Sequence, residues 1–165
     1  SVVETADKAR HVRASIDASR VTRTELDSVV AAVVGRIETD YPDAAVGVDG
    51  VPAVTVTADA NFDVALEEVL ANAIVHQNRA SPVVTVDCSA DADAVLIEVR
   101  NPGETIPEAE RQALRGGYET QLEHASGLGL WLVKWVVENS HGTVEFPGTR
   151  TGDNVVRIVL PRTGA

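Results

Sequence analysis

A chain of 165 residues that is 44% hydrophobic, 24% charged and 4% aromatic has the make-up of one soluble globular domain with a Val, Ala and Leu core, which excludes a disordered or fibrous protein. Fourteen basic against 25 acidic residues leave a net charge of -11, and Lys8 and Lys134 are the only lysines, which argues against a nucleic-acid partner. No apolar run approaches the roughly 20 residues of a membrane span, and Ser1-Val2-Val3-Glu4-Thr5 lacks the basic and apolar regions of a signal peptide, so no membrane contact is expected of this domain.

Apolar residues at Val2, Ala6, Ala9, Val12 and Ile16 predict a helical stripe over residues 2–20 that needs a partner to cover it. Thr22-Arg23-Thr24-Glu25 has the capping-box pattern and predicts the start of a second helix, continued by Leu26, Val29, Val30, Val33 and Ile37 and stopped at Tyr41-Pro42. Ala45 to Val48 and Ala53 to Thr57 are short extended runs split at Asp49-Gly50, which suggests a hairpin. The helical period returns from Asn61 to Asn78, with Phe62, Leu66, Val69, Leu70 and Ala73 on the buried side. Val83 to Cys88 and Val95 to Arg100 alternate as an antiparallel strand pair around an acidic turn. In that pair the lone Cys88 reads as a small buried hydrophobe; without an internal disulfide partner, it suits a reducing, cytoplasmic compartment.

Residues 104–126 combine a short helix with Gly116-Gly117 and polar side chains, the composition of a mobile lid. Leu128 to Val137 is apolar nearly all round and predicts a buried helix stopped by Gly142. Thr143 to Phe146 and Val155 to Leu160 supply two last strands. This order predicts a two-layer α/β sandwich, a mixed and mostly antiparallel sheet with helices on one face.

Three segments carry candidate chemistry. Glu68, Asn72 and His76 recur every four residues and so share one helix face. A carboxylate and a carboxamide there can hold Mg2+ and its waters, because this ion takes few protein ligands and shares phosphate oxygens; a solvated polar stripe is the alternative. At Asn101-Pro102-Gly103, a glycine permits close backbone approach and the Asn101 carboxamide can both accept and donate, which suits an adenine edge, or simply a turn. Ser126-Gly127-Leu128-Gly129-Leu130 opens the most apolar helix, where exposed N–H groups and the helix dipole favour a phosphate. Leu128, Leu130, Trp131 and Trp135 read as packing residues on their own pattern.

In this order and at these separations the segments resemble the N, G1 and G2 boxes of the gyrase, histidine kinase and MutL (GHKL) ATPases over about residues 24–161. Gly127-Leu128-Gly129-Leu130 followed by an apolar helix and His141-Gly142 resembles the kinase branch. The resemblance implies the Bergerat ATP-binding fold, with ATP and Mg2+ as ligands. It implies that Asn72 ligates magnesium and that Glu68 is the carboxylate acting on the attacking group. Asn101, Gly103, Ile106 and Asn154 then stand around the base, with His76, Ser126, Gly127, Leu128, Gly129 and Leu130 completing the nucleotide contacts, and residues 108–126 match the lid.

Several positions depart from the pattern. Asn101 replaces the aspartate that reads the adenine amine, which implies modest affinity because charge-assisted hydrogen bonds are about twice as strong as neutral ones. Thr105 and Ala125 replace glycines, and Val75 stands where many kinases carry a basic residue; His76, Arg79, Arg115 and Lys134 are the cations available to compensate, or plain surface charges. His11 lacks the acidic residue and proline of a phosphoacceptor box, so the acceptor is expected outside this chain, with residues 1–20 the tail of a dimerisation helix or linker and 21–165 the catalytic domain.

The expected function is transfer of the ATP γ-phosphoryl group to the phosphoacceptor helix of the same kinase, with a response regulator downstream and a homodimeric full-length protein. A catalytically weak nucleotide-sensing pseudokinase, favoured by Asn101, and an ATP-driven clamp of the gyrase kind stay open as alternatives. The acidic, lysine-poor composition also resembles that of proteins from salt-loving microbes and suggests a halophilic archaeal source.

Overall fold

The computed structural model describes residues 21–77, 79–102, 127–147 and 153–162. In chain order these form β1 (Val21–Glu25), α1 (Leu26–Asp40), β2 (Ala45–Asp49), β3 (Thr55–Asp59), α2 (Phe62–Val75), β4 (Val83–Ala90), β5 (Ala94–Asn101), α3 (Gly127–Asn139), β6 (Thr143–Glu145) and β7 (Asn154–Pro161). The expected helical stripe at residues 2–20 and the lid lie outside the described residues.

Period-two alternation organises the sheet. Val84, Val86 and Cys88 of β4 turn inward between the exposed Val83, Thr85 and Asp87. Five strands lie in the order β2-β4-β5-β7-β6, with β2 parallel to β4 and every other pairing antiparallel. The acidic β4–β5 turn is closed by Asp91, whose Oδ1 accepts the backbone N–H groups of Asp93 and Ala94, both at 2.8 Å. Those two hydrogen bonds hold its carboxyl below the ordinary value.

The helices cover one face of this sheet, as the element order predicts. Leu26, Val30, Val33 and Ile37 form the buried stripe of α1, and Phe62, Ala65, Leu66, Val69, Leu70 and Ile74 that of α2. From α3, Leu132, Val133, Val136 and Val137 are buried, while Trp131 and Trp135 are half-buried against the same core. Helix α2 packs against both α1 and α3 and lies over β4 and β5. Burying each large apolar side chain on these stripes contributes roughly 1.5–3 kcal/mol.

Three local expectations are corrected. Residues 22–25 belong to strand β1, not to a helix start. Their backbone pairs antiparallel with β3, from Val21 opposite Asp59 to Glu25 opposite Thr55. The N-cap of α1 is Glu25 without a side-chain cap, and the Leu26 N–H is satisfied by the Val54 carbonyl at 3.0 Å. The suggested β2–β3 hairpin does not form either: β2 pairs with β4, which the intervening α2 crossover allows, and β3 pairs with β1. An antiparallel bridge between Val56 and Arg162 ties that small two-stranded sheet to the end of β7.

The third correction concerns the end of α3. Gly142 follows the helix, but the left-handed residue is His141, at φ 62°. The His141 N–H donates to the Glu138 carbonyl at 2.9 Å and the Gly142 N–H to that of Val137 at 2.9 Å, the two bonds of a Schellman motif. Glycine is required at 142 for a different reason, since a Cβ there would run into the Val159 carbonyl, Leu160 and Val137.

Candidate functional site

Neighbouring acidic residues on α2 face different helices, because successive residues lie about 100° apart. Glu67 faces α1, 4.0 Å from Arg36, which also holds Asp63 at 3.1 Å. Burial raises the Glu67 carboxyl above its ordinary value; Arg36 opposes the rise, and Asp40, Asp63 and Glu68 add to it. Glu68 instead reaches over α3. A Cβ built on Gly129 would fall 2.5 Å from Glu68 Oε2 and 2.8 Å from its Cδ, closer than packed atoms approach. The absence of a side chain at 129 is therefore what lets the carboxylate rest on the first turn of α3. Two of the segments singled out in the sequence, 61 positions apart, meet at this contact.

One turn further along the same face of α2 stands Asn72. Its amide nitrogen Nδ2 is buried and has no hydrogen-bond partner among the described residues. A buried donor left unpaired costs roughly 1–3 kcal/mol, so the position is unfavourable until something accepts from it. A half-turn of the carboxamide exchanges N and O, so this side chain can offer a donor to a phosphate oxygen or an oxygen to a cation. A magnesium ion sharing its coordination with phosphates fits that donor set.

His76 is the exposed C-cap of α2, its N–H donating to the Asn72 carbonyl at 3.0 Å. Gly127, Leu128, Gly129 and Leu130 form the first turn of α3, with Leu130 half-buried. Gly103, Ile106 and Ser126 lie outside the described residues, as does Arg115. Of the compensating cations, Lys134 pairs with Glu138 at 3.6 Å, and Arg79 is exposed beyond α2.

The other end of the constellation sits on the inner sheet face, where Asn101 closes β5 opposite Asn154 of β7. Asn101 is 5% exposed and its Nδ2 donates to the Pro102 carbonyl at 3.1 Å. Asn154 Oδ1 is buried and, among the described residues, accepts no hydrogen bond. Cys88 is also buried, and burial together with Asp87 pushes its thiol up to about 11, so it stays a protonated packing residue as its strand position predicts.

A buried polar cluster escaped the sequence reading. The Asp59 N–H donates to Ser140 Oγ at 2.8 Å, and that hydroxyl donates to the Val136 carbonyl at 2.7 Å. Asp59 Oδ2 accepts from Asn139 Nδ2 at 2.6 Å, and its Oδ1 accepts from the Asn61 N–H at 2.8 Å. Asp59-Ala60-Asn61 just before α2 was the available signal, an Asx-type bond two residues on, but nothing local announces partners 80 positions away. A groove of about 390 Å³ between α1 and the β3–α2 junction, lined by Thr24, Val29, Arg36, Asp59 and Phe62, among others, contains none of the sequence-selected residues.

Residues 59–164 match the family described as histidine kinase-, DNA gyrase B- and HSP90-like ATPases, and the chain belongs to that family. The mycobacterial sensor histidine kinase MprB is 24% identical with a TM-score of 0.71, the match covering 87% of this chain and all of that one. Full-length ShkA in complex with AMPPNP superposes with a TM-score of 0.74 at 18% identity, over 99% of this chain and 36% of that one. Histidine kinase ThkA in complex with the response regulator protein TrrA gives 0.71 at 19% identity, over 98% and 49%. The fold is that of histidine kinase catalytic domains. No curated protein is similar enough in sequence to match. Among the described residues no helix is long and apolar enough to cross a membrane.

Proposed function

We propose that this chain is the ATP-binding catalytic domain of a two-component sensor histidine kinase, passing the γ-phosphoryl group of ATP to a histidine on the kinase's own dimerisation helix. The observation that carries this reading is the Glu68 carboxylate resting on Gly129, with the unpaired buried amide of Asn72 one turn away. Phosphoryl transfer asks a protein mainly for positioning and charge stabilisation. Here the first turn of α3, Gly127 to Leu130, offers backbone N–H groups to the phosphates, and Asn72 binds beside them.

Glu68 orients the incoming imidazole by accepting its N–H. The bond from the γ-phosphorus to the bridging oxygen breaks, a phosphorus–nitrogen bond forms, and ADP leaves. Asn72 would hold the magnesium ion, which supplies charge neutralisation when bound. On this reading Asn101 and Asn154, with Gly103 and Ile106, receive the base, and His76 and Ser126 belong to the nucleotide contacts. The similarity to ThkA, solved with a response regulator, and to ShkA, solved with AMPPNP, supports an ATP-dependent kinase that hands its phosphoryl group to a response regulator; a homodimeric full-length protein in the cytoplasm is part of the same proposal. Residues 1–20 then belong to a dimerisation helix or linker and 21–165 to the catalytic domain.

A second reading, a nucleotide-sensing pseudokinase, is favoured by Asn101, a neutral side chain whose Nδ2 donates to the Pro102 carbonyl. Incubation of the chain with γ-labelled ATP, Mg2+ and a partner helix bearing the acceptor histidine separates the two. Acid-labile label on the helix, lost in Glu68→Gln, is expected. ATP binding by calorimetry without any transfer would overturn the kinase reading in favour of the sensing module.

A further inference from the structure

The first residue of β4 lacks a strand partner on its β5 side. The β4–β5 register runs from Ala90 opposite Val95 to Thr85 opposite Arg100, and its continuation would set Val83 against Pro102. Proline has no N–H to give to that rung, and the Pro102 carbonyl accepts from Asn101 Nδ2 at 3.1 Å. The backbone groups of Val83 face this side. The preceding carbonyl, that of Pro82, accepts from the Ala45 N–H of β2 at 2.8 Å, and successive residues of a strand turn their polar groups to opposite edges. The half-buried Gln77 takes the missing partner's place. Its Oε1 accepts from the Val83 N–H at 2.9 Å and its Nε2 donates to the Val83 carbonyl at 2.8 Å, so one side chain makes the two bonds of a strand neighbour. The same Nε2 donates to the Ala73 carbonyl of α2 at 2.9 Å.

That last bond reaches the turn of α2 that carries Asn72. The helix ends at Val75, and the last carbonyls of a helix have no partner within it, so an untied end frays. Here the Asn72 carbonyl accepts from the His76 N–H at 3.0 Å, and the Ala73 carbonyl is tied through Gln77 to the start of β4. Resting on the nucleotide-binding reading above, we infer that Gln77 is a positioning residue for the magnesium and phosphate half of the site, fixing Asn72 against the sheet. Both hydrogens of its amide are engaged by backbone carbonyls, so it acts through Asn72 and not on the ligand. The base half is held separately, by the pairing of Asn101 with Asn154 in the β5–β7 ladder. Loss of Gln77 therefore loosens one half of the site and leaves the other in place.

The test is calorimetric titration of the 165-residue chain with ATP, in Mg2+ and in EDTA, for the wild type and Gln77→Leu, with amide hydrogen exchange of both ligand-free proteins. Leucine removes all three hydrogen bonds. The expected result is an affinity for Mg-ATP lower by about tenfold in Gln77→Leu, with the affinity for metal-free ATP within about twofold of the wild type. The His76 N–H, which closes the last turn of α2, is expected to exchange several times faster in the variant. A merely structural role would lower both affinities by the same factor, through the fraction of folded chain. That result, or a Mg-ATP affinity or a His76 exchange rate equal to the wild type's, overturns the inference and leaves the nucleotide reading standing. Failure of the wild type to bind Mg-ATP overturns both. Should Gln77→Leu not fold, Gln77→Glu, which keeps the acceptor for Val83 and loses the donors, decides in its place, and an equal loss of both affinities or no loss of either there overturns the inference.

Discussion

The two ends of α3 treat buried polar groups in opposite ways. At the Asn139 end, Asp59, Asn61, Asn139 and Ser140 exchange hydrogen bonds of 2.6–2.8 Å and clip the helix to the end of β3. Around the Gly127 end, where Glu68 rests on Gly129, Asn72 one turn along α2 keeps a buried amide nitrogen without a partner among the described residues, as Asn154 Oδ1 does on β7. The first end is built like a core, in which an unmade hydrogen bond is a loss. The second leaves buried polar atoms unpaired among the described residues, which on the proposed reading is expected of a surface that meets a ligand. On the proposed reading, satisfied polar groups mark what holds the fold and unsatisfied ones mark where the nucleotide would bind.

Asp59→Ala should have the largest effect on stability. It removes the carboxylate that accepts from the Asn139 amide and the Asn61 N–H in one step, and urea unfolding is expected to show a loss of roughly 2–4 kcal/mol. The nucleotide affinity of the molecules still folded should be unchanged; a stability loss below about 0.5 kcal/mol would break the contrast between the two ends. Gly129→Ala works at the other end. Its Cβ must displace the Glu68 side chain, so single-turnover phosphate transfer should slow about tenfold or more. Stability should move by less than about 1 kcal/mol, since alanine favours the helix. Equal transfer rates in Gly129→Ala and wild type would separate Glu68 from the chemistry. The smallest effect belongs to His141→Gly at the C-terminal Schellman turn, where relief of the left-handed conformation should stabilise the chain by roughly 0.5–1 kcal/mol. A rise of a few degrees in melting temperature with unchanged transfer would show that this end acts on the fold alone.

What the sequence made legible was whatever depends on local periodicity. The apolar stripe of α2, the alternation of β4 and β5 and the all-round apolar α3 each state their own environment, and the four-residue spacing of Glu68 and Asn72 puts both on one helix face. Where a local signal competes with a distant partner, it misleads. Thr22-Arg23-Thr24-Glu25 has the letters of a helix cap, but its backbone finds a ladder with β3, 30 to 36 residues away. Asp49-Gly50 has the letters of a hairpin turn, yet β2 finds its partner in β4. The Asp59 cluster was invisible for the same reason, since its hydrogen bonds close across 80 and 81 positions. At the site, the residue types were readable, but which of their atoms lack partners is a property of packing in three dimensions.

The central claim, that Asn72 is kept for a ligand rather than for the fold, is tested most directly by melting the wild type and Asn72→Ala with and without Mg-ATP. The account predicts that the ligand-free variant melts at the wild-type temperature or up to about 3 °C above it, while the rise that Mg-ATP induces in the wild type disappears. A ligand-free variant that melts several degrees lower, or that keeps the full nucleotide-induced rise, would contradict it.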